Sequence, residues 1–210
     1  MSESLPIALV ELRLDDVLDE VKSRVRRGED ALQVLEDCRR GMTIVGDRFQ
    51  KGEYFLAELM LSAEIFKKAV TILDPHLDKA RSSKPTGKVV LATLKGDVHD
   101  LGKNILVTLF KAQGFEVYDL GVDVEPAVIV EKVKEVRPDF VGFSTLITTA
   151  FGHMKEAAEM LQEAGLREHL KLLIGGAVTT PMVKDYVGAD FQTLDAVEGL
   201  RYCVAVIEGK

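Results

Sequence analysis

The sequence predicts an α/β protein in which an N-terminal four-helix bundle precedes a doubly wound parallel sheet, and three observations predict it. Residues 1–82 carry only helical spacing of apolar side chains. The stretch Arg81-Ser82-Ser83-Lys84-Pro85-Thr86-Gly87 has no period and is rich in chain breakers, so a domain boundary belongs there. From 88 to 210, short apolar runs without alternation take turns with helical patterns, which is the mark of strands buried on both faces of a parallel sheet. The division expected is therefore a helical domain at 1–82, a linker at 83–87 and a sheet domain at 88–210.

In the first domain, Leu9, Leu12, Val17, Leu18, Val21 and Val25 recur at mixed spacings across Leu5 to Arg26, one amphipathic helix that Gly28 ends. A second helical pattern starts near Asp30, sets Leu32, Leu35, Met42, Val45 and Phe49 on one side and stops around Lys51-Gly52. A third runs from Phe55 through Leu56, Leu59, Met60, Ala63, Phe66, Lys67 and Val70. A short fourth is expected at Asp74-Pro75, because proline suits the first turn of a helix. Four such helices make a small bundle.

In the second domain, strands are expected at Lys88 to Leu94, Phe115 to Asp119, Phe140 to Ser144, Lys171 to Ile174 and near Phe191. Helices are expected at Lys103 to Gln113, Glu125 to Arg137, Gly152 to Ala164, Pro181 to Val187 and Ala196 to Ile207. This count fits a flavodoxin-like (Rossmann-like) domain, whose ligand lies in the crevice at the carboxyl ends of the strands.

A chain of 210 residues with 47% hydrophobic and 29% charged residues is an ordinary globular composition. The net charge of −7 and the lack of a basic cluster argue against nucleic acid or an anionic membrane as a partner. Cys38 and Cys203 form no spaced pair, so two free thiols in a reducing compartment are expected. The N-terminus lacks the pattern of a secretory leader and no stretch approaches a membrane span, which makes a cytoplasmic location the expectation.

Chemistry concentrates in Gly96-Asp97-Val98-His99-Asp100-Leu101-Gly102-Lys103-Asn104, after the first strand of the sheet. Asp97 can reach one imidazole nitrogen of His99, fixing the tautomer and leaving the other nitrogen for a metal or a proton. A phosphate-binding loop is excluded, because it needs four residues between its glycines and a Ser or Thr after the lysine. Five intervene here, and Asn104 follows Lys103. The third and fourth strands end in Gly142-Phe143-Ser144-Thr145-Leu146-Ile147-Thr148-Thr149 and Ile174-Gly175-Gly176-Ala177. In a flavodoxin-like order these strands neighbour the first, so all three loops face one crevice.

An Asp-x-His-x-x-Gly loop, then Ser-x-Leu, then Gly-Gly at successive strand ends resembles the signature of cobalamin-binding domains that displace the cofactor's own lower base and set a histidine on cobalt. The resemblance implies a cobamide held at Asp97, Val98, His99, Asp100, Leu101 and Gly102, with His99 as the cobalt ligand and Asp97 as its hydrogen-bond partner. It further implies that Ser144 offers a hydroxyl to the displaced base, that Leu146 and Thr148 flank it, and that Gly175, Gly176 and Ala177 leave room for the nucleotide tail. Gly46-Asp47-Arg48-Phe49, Tyr54 to Leu59 and Ser62-Ala63-Glu64 resemble the helical cap that precedes this domain in methionine synthase and in small corrinoid proteins. By that resemblance Phe49, Leu56 and Leu59 lie over the upper face of the corrin. Helical spacing alone places the same three in a bundle core.

One departure stands out. Methionine synthase completes an Asp-His relay with a serine where this chain has Ala150, so the relay either lacks its third member or draws it from Thr148 or Thr149. A second lies at Phe191-Gln192-Thr193, where relatives often have a tyrosine near the nucleotide.

A cap and a cobalamin domain without a substrate barrel resemble the corrinoid subunit of a methyltransferase system. Such a subunit carries a methyl group on cobalt from a substrate-specific methyltransferase to a second methyltransferase, whose acceptor is tetrahydrofolate or a thiol. A reductive activase is the third implied partner. The alternatives are the small subunit of an adenosylcobalamin mutase and a cobalamin-dependent sensor.

Overall fold

The computed structural model describes residues 5–77 and 85–209 and divides into two compact units, 1–84 and 85–210. Residues 83 and 84 of the expected linker lie outside the described residues, and Pro85 to Gly87 lead into the first strand.

The helical unit has α1 (Leu5–Val10), α2 (Leu14–Arg26), α3 (Ala31–Gln50) and α4 (Leu56–Leu77). The helix expected across Leu5 to Arg26 is thus two helices. Leu12 takes a left-handed φ of 60°, while the Arg13 amide bonds Ala8 O and the Leu12 amide bonds Leu9 O, both at 3.0 Å. That is the closure that usually ends a helix at glycine, here made by a leucine, so no Gly or Pro signalled the break. Gly28 closes α2 with the same pair of bonds, to Val25 O and Arg24 O. No separate helix begins at Asp74-Pro75: α4 runs through Pro75 and ends at Leu77. A proline there removes one ladder bond, which a long helix tolerates near the end of its described span.

In this unit α1 packs on α3, α3 on α4 and α2 on α4. The buried stripe of α4, Leu59, Ser62, Phe66, Ala69 and Leu73, keeps to one face at spacings of three and four. Between α2 and α3, Arg24 Nη1 bonds Asp37 Oδ2 at 2.7 Å, with side chains only 11% and 10% exposed. Glu29 takes the other end of the guanidinium and Arg40 the other oxygen of Asp37.

The second unit is a five-stranded all-parallel sheet in the order β2-β1-β3-β4-β5. Its strands are β1 (Lys88–Thr93), β2 (Glu116–Asp119), β3 (Phe140–Ser144), β4 (Lys171–Gly175) and β5 (Phe191–Thr193). The crossover helices are α5 (Leu101–Ala112), α6 (Pro126–Val136), α7 (Phe151–Glu163), α8 (Pro181–Val187) and α9 (Ala196–Glu208). Helices α6 and α7 pack together, as do α5 and α9. One core joins Val90, Ala92, Val141, Phe143, Leu172 and Ile174 of the central strands to α6 and α7. These central strands are buried on both faces, as the unalternating apolar runs predict.

Register decides what meets at the carboxyl edge. Thr93 pairs with Ser144, Ser144 with Gly175 and Gly175 with Thr193, so four strand ends stand in one row. Among the described residues, no helix is long and apolar enough to cross a membrane.

Candidate functional site

The loop after β1 is pinned on one side. The Lys95 amide bonds Val124 O at 2.9 Å, the Gly96 amide bonds Asp123 Oδ1 at 2.7 Å, and the Asp123 amide bonds Asp97 O at 2.9 Å. Gly96 has a φ of +83°, which lets the chain reverse and drive Asp97 inward. Asp97 is buried, whereas Val98, His99, Asp100, Leu101 and Gly102 are exposed. The N-terminal turn of α5 follows at once.

Asp97 is the hub. Its Oδ1 accepts the His99 amide at 2.9 Å and lies 2.7 Å from His99 Nδ1. Its Oδ2 accepts the Thr145 hydroxyl at 2.6 Å and the Leu146 amide at 2.7 Å. Burial pushes the carboxyl up, but these four hydrogen bonds outweigh it and hold the group at about 2, below its ordinary 3.8. An ionised Asp97 only accepts hydrogen bonds, so the proton between it and His99 sits on Nδ1. Nε2 is then the nitrogen with a free lone pair, on a side chain 53% exposed.

The hydroxyl on Asp97 is not the one expected. Thr148 and Thr149 are exposed, in a single 3-10 turn that ends at the buried Ala150. The donor is Thr145, fully buried, the middle residue of Ser-x-Leu. Sequence reasoning passed over it because that place in the motif is unspecified; its lead was a hydroxyl residue one position beyond a buried strand. Ser144 is half-buried and Leu146 is 41% exposed.

Behind the strand ends lies a cavity of about 120 Å³, walled by the sheet and by α5 and α9. Ser144, Gly175, Gly176 and Gly102 line it, together with Thr193 of the Phe191-Gln192-Thr193 stretch and with Gly142, Gly199 and Leu106, to which the sequence reading gave no role. Gly142 sits two residues before Ser144 and therefore on the same face of β3, which is the signal that could have found it. Five of the lining residues are glycines, so parts of the wall are bare backbone, among side chains such as Leu91, Leu106, Leu173 and Ile174. Gly175 and Gly176 carry a second demand. A Cβ on Gly176 would stand 1.9 Å from Thr145 O, and one on Gly175 would stand 3.1 Å from Thr193 O. The close approach that excludes a side chain is thus to the protein's own backbone, besides any ligand. Ala177 is exposed and does not line the cavity. Lys103 does, though only 3% exposed; its ammonium bonds Asp119 Oδ1 at 2.6 Å and Asn104 Oδ1 at 3.1 Å.

In the helical unit Phe49 and Leu56 are half-buried. Leu59 is 1% exposed and belongs to the buried stripe of α4, so its side chain is committed to packing rather than presented to a ligand.

Among the described residues no group of three His, Cys, Asp or Glu side chains could hold a bare metal ion. One exposed imidazole held by a buried carboxylate thus stands beside a glycine-rich cavity at the carboxyl edge of a flavodoxin-like sheet. The chain belongs to the B12-binding family: residues 87–201 match a family model described as a B12 binding domain, and residues 1–74 match a second model of the same description. It is 35% identical over 208 residues, 99% of this chain and 96% of the other, to dimethylamine corrinoid protein 2 of Methanosarcina acetivorans. It is similar to the crystal structure of a cobalamin-binding protein from Desulfitobacterium hafniense, with a TM-score of 0.81, 38% identity and 97% of each chain covered. Against the methanol:cobalamin methyltransferase complex MtaBC from Methanosarcina barkeri the TM-score is 0.85 at 27% identity, covering 100% of this chain and 80% of that one.

Proposed function

We propose that this chain is the methyl-carrying corrinoid subunit of a cytoplasmic methyltransferase system, binding a cobamide base-off with His99 as the lower ligand of cobalt. The observation that carries the reading is the Asp97–His99 bond, which sets the proton on Nδ1 and leaves Nε2 on an exposed ring. The relatives named as dimethylamine and trimethylamine corrinoid proteins support the methyl-transfer context.

A bound cobamide would supply the methyl-transfer chemistry, while the protein's own residues hold and orient it. Asp97 keeps His99 in one tautomer and makes the imidazole a stronger donor. Val98, Leu101 and Leu146, all exposed around the histidine loop, offer an apolar seat for the lower face of a corrin. Ser144 and the glycine walls receive the displaced base and its tail in the slot. Phe49 and Leu56, half-buried in the helical unit, would be the residues of that unit that shield a bound corrin. The partners on this reading are a substrate-specific methyltransferase, an acceptor methyltransferase and a reductive activase.

The test is reconstitution with a cobamide and electron paramagnetic resonance of the Co(II) state, using protein with isotopically labelled histidine nitrogens. Splitting by labelled nitrogen that disappears in His99→Ala is expected. Splitting by the cofactor's own base, or no cobamide uptake, overturns the proposal. Affinity capture should then recover a barrel methyltransferase; a mutase large chain or DNA in its place would overturn the methyl-carrier role.

A further inference from the structure

We propose that Thr145 is a positioning residue that couples the wall of the strand-end cavity to the placement of His99; this rests on the corrinoid reading above. Two sets of contacts meet at this residue. On one side its hydroxyl and the next amide, Leu146 N, hold Asp97 Oδ2 at 2.6 and 2.7 Å. The other oxygen of the same carboxylate holds His99 through both its amide and Nδ1. Turning the carboxylate therefore turns the imidazole.

On the other side, the Thr145 backbone is gripped by the turn after β4. Its amide donates to Gly175 O at 3.0 Å, and its carbonyl lies where only a glycine at 176, with φ +113°, leaves room. Gly175 and Gly176 are also cavity wall. A group that fills the slot presses on the glycine turn, the turn bears on Thr145, and Thr145 bears on Asp97.

A threonine suits this task. Its Oγ1 also accepts the Ile147 amide at 3.2 Å, and of the two acceptors within reach of its single hydrogen, Ile147 O at 3.0 Å and Asp97 Oδ2 at 2.6 Å, the carboxylate is the nearer and the stronger. The branched Cβ restricts χ1, and the Ile147 backbone contacts help to hold the oxygen in place. With Ala150 buried and lacking a hydroxyl, the relay is completed from the strand end instead of from the 3-10 turn. In this chain, filling of the tail slot and arrival of the histidine under cobalt are linked events.

The experiment compares holoprotein in the wild type, Thr145→Val and Thr145→Ser, each loaded with a complete cobamide or with a corrinoid truncated before its nucleotide tail. The fraction of Co(II) split by labelled histidine nitrogen is read for each. In the wild type the complete cobamide should give the larger histidine-on fraction. Thr145→Val keeps the shape but loses the hydroxyl, and should lower the histidine-on to histidine-off ratio about tenfold, the scale of one hydrogen bond to a charged group. It should also erase the difference between the two corrinoids, and Thr145→Ser should restore both effects. A Thr145→Val protein with the wild-type spectrum overturns the proposal. Should that variant not fold, equal histidine-on fractions for the two corrinoids in the wild type overturn it as well. A wild type that shows no histidine splitting with either corrinoid overturns the corrinoid reading itself, a different result from either of these.

Discussion

Replacing Asp97 by asparagine probes the hub of the site without cobamide. Each carboxylate oxygen accepts one backbone amide, His99 N on Oδ1 and Leu146 N on Oδ2. An asparagine amide group in either orientation therefore points its NH2 at a backbone N–H that cannot turn away. One buried donor is orphaned, and the bonds that remain lose their charge assistance, for a total of about 3 kcal/mol at neutral pH. The depression from 3.8 to about 2 supplies an independent figure, about 2 kcal/mol for the charge alone. Its sign follows from linkage: with the folded value below the unfolded one, the stabilisation is complete above about pH 4 and is lost as pH falls through about 2. Urea unfolding of the ligand-free wild type and Asp97→Asn at neutral pH and near pH 2 should show a gap that narrows by about 2 kcal/mol on acidification. A variant within about 0.5 kcal/mol of wild type at neutral pH, or a gap that stays constant, would refute the reasoning.

Gly176→Ala should lower stability by about 3 kcal/mol or more, because φ +113° and a Cβ 1.9 Å from Thr145 O add strain to overlap. Gly142→Ala meets only the Leu91 Cδ2 methyl, at 2.6 Å, which can move; thermal unfolding should show a loss of about 1 kcal/mol. Arg24→Ala leaves Asp37 in a 10% exposed position with Arg40 alone, and urea unfolding should register about 3 kcal/mol; a change below about 1 would mean solvent replaces the guanidinium. Burial raises the Cys38 thiol to about 12 and pushes up that of Cys203 as well, so a thiol reagent should label both only after unfolding. Labelling of the native chain at the unfolded rate would contradict that burial.

The order of helices and strands in the sheet unit was legible in the sequence because unalternating apolar runs and helical stripes are local patterns. The same holds for the Asp97–His99 pair, whose members are two residues apart and meet within one turn. What the chain hid were features without a local mark. The break between α1 and α2 depends on a leucine in a conformation usually left to glycine, and Pro75 lies inside α4 because only the length of a helix tells its last turn from its first. The hydroxyl on Asp97 comes from Thr145, 48 residues along, and register alone brings it there. Likewise Gly176 serves Thr145's carbonyl across the β3–β4 pairing, a contact between residues distant in the chain. The sequence by itself determined the order of strands and helices in the sheet unit and the pairing of Asp97 with His99 after β1, since these follow from periodicity and from residues two positions apart. Tertiary structure alone decided which hydroxyl reaches the carboxylate, which glycines must stay bare and which apolar residues remain exposed, because each depends on distances between segments that only the packed sheet sets.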